Sequence, residues 1–159
     1  MSPSTTKKVF IRRFDREPAT GFASLQHYLQ PNGIEILTQE GTTLMLAYRE
    51  VKWVAFVRDF AEPGSLEDRK VFHTRPKMEG LWVRLLFRDN DRMEGILPNN
   101  LLQIDPYGFY FVPPDPFSNN QRIFAPREAL RDVHALGVVG GKAGRTKQPE
   151  TKDQIKLFE

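Results

Sequence analysis

Arginine stands beside glutamate twice in the same setting. LAYREV (46–51) and FAPREA (124–129) share Ala-x-Arg-Glu and lie 78 residues apart. A guanidinium can stack on a nucleobase or grip a phosphate through paired hydrogen bonds. Arg49 and Arg127 are therefore candidates for contacting nucleic acid or another anion. The adjoining Glu50 and Glu128 offset the positive charge a phosphate needs, so a structural role in fixing the turn is the better reading of both pairs. A second group lies around the stretch PPDPFSNNQ (113–121), where Asn119, Asn120 and Arg122 offer hydrogen-bonding groups, with Asn99 and Asn100 in another loop of the same half. Function tends to be added on elaborated loops. The plain alternative is that Pro and Asn stiffen and cap turns.

Other chemistry finds little support. His27, His73 and His134 have no partner at ligand spacing, so no metal site is expected. The absence of Cys removes thiol catalysis and cysteine metal sites. No Gly-rich phosphate loop, nucleophile elbow or suggestively placed carboxylate pair occurs. We expect no catalytic residues, no cofactor and no enzyme activity.

The 159 residues carry 40% hydrophobic side chains and twelve Phe, enough for a folded core. No apolar run approaches the roughly 20 residues of a membrane span, and the start MSPSTTKKVF lacks the apolar segment of a secretory signal. These features read as a soluble cytoplasmic protein. The net charge is +3, but its distribution does not mark a nucleic-acid binder. Residues 1–60 hold 8 basic and 6 acidic groups, and residues 140–159 hold 5 and 3. Between residues 80 and 139 there are 6 basic and 7 acidic groups. The excess sits at the chain ends, not in the stripe across the folded body that nucleic-acid binding favours.

The elements that must position the candidates come in two copies. Phe14 answers to Phe87, Gly21 to Gly95, Gly33 to Gly108 and Ala47 to Ala125, at offsets of 73, 74, 75 and 78. Anchors that stay in order with small insertions indicate an internal duplication. Each copy reads as short strands: VFIRRF and LWVRLLF, then IEIL and FYFV, TLMLAY and RIFA, VKWVAFV and LRDVHALGVV. Period-two alternation and β-forming residues carry that assignment. Gly, Pro, Asn and Asp punctuate the gaps. Five short strands in about 50 residues fit a small bent barrel, with Gly21 and Gly95 as bend points.

The expected fold is all-β, with two tandem five-stranded barrels at 8–58 and 80–139. An N-terminal arm (1–7) precedes them. A connector (59–79) holds a short helix near 66–72, capped by Ser65 and Asp68. A flexible C-terminal tail (140–159) follows.

RDNDRMEGIL (88–97) resembles the first motif of Sm-like proteins, an Asp-containing hairpin turn leading to a strand with Gly and a following aliphatic residue. Asp89 or Asp91, Gly95 and Leu97 occupy those places, and the first copy retains Asp15 and Gly21. The second Sm motif, usually Arg-Gly after the fourth strand, is here Arg49-Glu50 and Arg127-Glu128. The resemblance implies Sm-like or SH3-like barrels, with these turns facing nucleic acid and edge strands pairing into rings. Residues 70–140 also resemble an uncharacterised bacterial protein family, which implies no particular activity.

The tail ends in Gln154-Ile-Lys-Leu157-Phe158. This resembles the Gln-Leu-x-Leu-Phe peptide by which replication and repair proteins dock on the bacterial sliding clamp, Leu-Phe filling an apolar pocket. The leading expectation is a non-enzymatic binding or scaffold module that self-associates, in rings if edge strands pair, and contacts protein or single-stranded RNA. Two alternatives stand beside it: a regulatory small-molecule-binding domain using the 113–122 loop, and a clamp-associated accessory protein.

Overall fold

The computed structural model describes residues 6–60, 71–114 and 120–140. The fold is all-β. The first half contributes β1 (Thr6–Arg13), β2 (Ala19–Ser24), β3 (Leu29–Gln30), β4 (Gly33–Thr38), β5 (Thr43–Leu46) and β6 (Val51–Val57). The second contributes β7 (Gly80–Phe87), β8 (Arg92–Leu97), β9 (Gly108–Phe111), β10 (Asn120–Pro126) and β11 (Leu130–Val139). The only helical pieces among the described residues are 3₁₀ turns at Tyr48–Glu50, Leu101–Gln103 and Arg127–Ala129. The expected helix at 66–72 falls almost wholly outside the described residues, as does most of the tail. β1 begins at Thr6, inside the stretch read as an N-terminal arm.

Two open sheets form. One runs β3-β4-β2-β1-β6-β10-β9, with β5 also paired to β4; the other runs β11-β7-β8. A bridge between Ile96 and Val112 links β8 to the end of β9. The pairing therefore does not draw two separate closed barrels. β10 of the second half pairs antiparallel with β6 of the first, with Arg122 opposite Phe56 and Phe124 opposite Val54. The larger sheet passes from one half into the other.

The run VKWVAFV explains why β6 takes this central place. A strand buried on both faces reads as continuously apolar, and five consecutive residues from Trp53 to Val57 are buried. Period-two alternation divides them between two cores. Trp53, Ala55 and Val57 join Phe10, Leu85, Phe87, Met93, Phe111 and Ile123. Val54 and Phe56 face the other way, among Val9, Ile11, Tyr28, Ile34 and Phe124. β10 is split likewise, Ile123 and Ala125 to one core and Phe124 to the other. The stretch β1-β6-β10 is thus a partition wall, with the β11-β7-β8 sheet packed on one side and the curled first half on the other.

Gly21 and Gly95 do lie inside second strands, but close approach is what requires them there. A Cβ on Gly95 would lie 2.3 Å from the Phe111 ring, and one on Gly21 would lie 2.3 Å from the Leu37 carbonyl oxygen. Glu94, beside Gly95, is 6% exposed. Its Oε1 accepts hydrogen bonds from the Trp82 indole N–H at 3.0 Å and the Phe72 backbone N–H at 3.1 Å. It thereby ties the end of the connector to β7 and β8. A buried carboxylate persists where such donors replace water.

Candidate functional site

The junction between the halves gathers a cluster of aromatic and cationic side chains. On the face of the sheet that carries Val54 and Phe56, β10 presents Arg122 and Phe124, and β9 presents Tyr110 opposite Phe124. Tyr28, from the turn after β2, enters the same cluster. Its hydroxyl hydrogen-bonds the Tyr110 hydroxyl. Phe56 and Phe124 meet the Tyr28 ring edge-on at 5.7 and 6.1 Å between centroids. Burial pushes the Tyr28 phenol above its ordinary range, and the neighbouring Tyr110 adds to this. Burial also raises Tyr110, against the opposing pull of its bond to Tyr28 and of Arg122. Both phenols are neutral near pH 7, so the pair is a structural clasp and not a base.

Arg122 lies over this cluster. Its guanidinium carbon is 4.4 Å from the Tyr110 ring centroid and 5.6 Å from that of Phe56. Such stacking holds a cation against an aromatic face while leaving its edges exposed, and Arg122 is exposed. Two grooves flank it. One, of about 330 Å³, is lined by Lys7, Leu25, Phe56 and Arg122. The other, of about 350 Å³, includes Glu79, Leu97, Tyr110, Val112 and Arg122 among its walls. Lys7 reaches its groove because β1 lies beside β6, with Val9 opposite Phe56. Lys7, two residues before Val9, points to the same side.

The other sequence candidates are dispersed. Arg49 is exposed on the 3₁₀ turn Tyr48–Glu50, and Arg127 opens the 3₁₀ turn Arg127–Ala129. The two turns lie against one another, and nearby Tyr48 and Tyr107 stack with centroids 5.1 Å apart. Arg127 donates from Nε to the Pro106 carbonyl at 2.9 Å and from an Nη to that of Asp105 at 3.4 Å. Glu50 pairs with Arg13 at 3.5 Å. Five residues of extended chain, about 16 Å, separate Arg127 from Arg122. Asn99 is exposed. Asn100 caps the 3₁₀ turn Leu101–Gln103, its Oδ1 accepting from the Leu102 N–H at 3.0 Å. Asn120 opens β10 opposite Val57. Asn119 lies outside the described residues, as do Gln154, Leu157 and Phe158.

The Asp residues of the RDNDRMEGIL stretch serve the junction in a way sequence reading missed. Lys52 of β6 bonds Asp89 and Asp91 of the β7–β8 hairpin at 2.9 and 2.8 Å. Asn90, between them, has φ of 72°, a left-handed turn conformation Asn tolerates. Among the described residues no three His, Cys, Asp or Glu side chains converge as metal ligands. His134 pairs with Asp132 at 2.6 Å. No described helix is long and apolar enough to cross a membrane.

A described protein family matches residues 5–137, nearly the whole of the two halves. The chain belongs to DUF6982, a family of unknown function. No curated protein and no solved structure matches this DUF6982 member.

Proposed function

We propose that the chain is a non-enzymatic binding module made of two Sm-like units fused edge to edge, with its ligand site at the seam beside Arg122. The strand order supports two copies of one unit. The first half runs β6-β1-β2-β4-β5. The second runs β11-β7-β8, then crosses by the Ile96–Val112 bridge to β9-β10. In both, the fifth strand of the unit lies beside the first. The β6–β10 pair then joins the fifth strand of one unit to the fourth of the other, an edge-to-edge pairing like the one by which Sm-like units are expected to close rings.

The outward edges fit each other poorly. By the registers of β6 on β1 and of β11 on β7, Asp132 and His134 of β11 stand where β6 has Trp53 and Ala55. Ring closure through a second chain would set those polar groups against the β5 edge. Charged residues on an edge strand oppose such pairing. A chain that closes its own seam and stops is therefore favoured over a ring.

The observation that carries the binding reading is Arg122, stacked and exposed between two grooves at the only strand junction shared by the halves among the described residues. The Arg49 and Arg127 turns serve it less well, since Arg127 already donates to two carbonyls. A thermal-shift panel of metabolites and short single-stranded RNAs tests the reading. A ligand binding the folded chain raises its melting temperature by mass action, and Arg122→Gln must reduce that rise. A shift that survives Arg122→Gln but vanishes in Arg127→Ala overturns the seam as the site.

A further inference from the structure

We infer that the groove between Lys7 and Arg122 takes a small amphipathic anion, a carboxylate, sulfonate or phosphate carried on a flat apolar body. This inference rests on the seam being the ligand site and names what it holds. Among the walls of this groove, Lys7 and Arg122 bring the charge and Leu25 and Phe56 the apolar surface. Both cations are exposed, and no acidic side chain is found among the described walls. Leu25 is 38% exposed, an apolar flank beside the paired charges. Phe56 is nearly buried and forms the floor, with the Arg122 guanidinium across it.

The two grooves differ in sign. The one on the far side of Arg122 contains Glu79, whose carboxylate repels an anion there and directs it to the Lys7 side. Arg122 needs little ordering on binding, because Tyr110 already holds its plane. Preorganised donors lose less entropy per bond formed.

The test uses two fluorescent naphthalene probes of the same shape, 1-anilinonaphthalene-8-sulfonate and its uncharged analogue N-phenyl-1-naphthylamine, titrated into the full chain. The sulfonate should bind at one site and be displaced by an aromatic carboxylate. Arg122→Gln and Lys7→Gln should each weaken it about tenfold, the loss of one charge-assisted contact, with affinity for the uncharged probe unchanged. Circular dichroism must show both variants folded. Sulfonate binding that ignores both substitutions overturns the inference. Binding of the uncharged probe alone, sensitive to Phe56→Ala, overturns the anion while leaving the seam groove intact. Binding of neither probe defeats the seam reading as well.

Discussion

Lys52 of the first half holds Asp91 of the second at 2.8 Å and Asp89 at 2.9 Å, with its side chain 12% exposed. The ammonium also lies 5.3 Å from the Phe87 ring centroid. Beside the β6–β10 ladder and the Tyr28–Tyr110 bond, this three-membered cluster is a polar fastening between the halves. Replacing Lys52 by Met leaves two carboxylates facing one another across a partly buried gap. Urea denaturation should show a loss of about 2 kcal/mol. A loss below about 0.5 kcal/mol would mean the cluster behaves as an ordinary surface pair.

The same contacts set an alkaline limit. Burial alone lowers Lys52, but bonds to Asp91 and Asp89 outweigh it and raise the ammonium above its ordinary range. Burial raises Tyr28, Tyr48 and Tyr110 as well. For Lys52 the charged form is stabilised in the fold, and for the tyrosines the neutral form is. In each case the folded state binds protons more tightly than the unfolded state, so stability is complete below the unfolded values near 10 and falls as pH rises beyond them. Phenolate absorbance from Tyr28, Tyr48 and Tyr110 should appear together with unfolding. Smooth ionisation of Tyr28 and Tyr110 before any loss of structure would contradict the clasp at the junction.

Gly95 and Gly21 probe the packing. Gly95→Ala forces the Phe111 ring aside and should cost about 1–3 kcal/mol, the usual range for overpacking. Gly21→Ala meets backbone, which cannot swing away, and should cost more. Equal and negligible effects at both sites in thermal melts would show that the strands there are further apart than the described contacts require.

Some of this was legible in sequence. The short β-forming runs announce an all-β chain, and VKWVAFV, read as a strand, is β6. Which edge meets which was not legible, because β6 and β10 pair across more than sixty residues and no local pattern names the partner. Arg122 stood out as part of an elaborated loop. Lys7 did not, since TKKVF reads as a polar arm until β1 is seen to start at Thr6. Asp89 and Asp91 looked like hairpin residues of a familiar motif, and their tie to Lys52 exists only in the folded chain.

Glu94 shows the same limit and allows a direct check. Glu94→Ala strands the Trp82 indole N–H and the Phe72 amide, an expected loss of about 2–3 kcal/mol. Glu94→Gln keeps an acceptor and should cost less. Trp82 fluorescence should respond to both substitutions. An unchanged emission with full stability would remove Glu94 as the connector's anchor.

Where a ligand lands is the most direct test of the seam. Amide chemical-shift mapping of the isotope-labelled full chain, during titration with 1-anilinonaphthalene-8-sulfonate, reads this residue by residue. The predicted result is a contiguous set of shifts at Lys7, Leu25, Phe56 and Arg122. Shifts centred on Arg49 and Arg127, or scattered without a centre, would contradict the seam as the binding site.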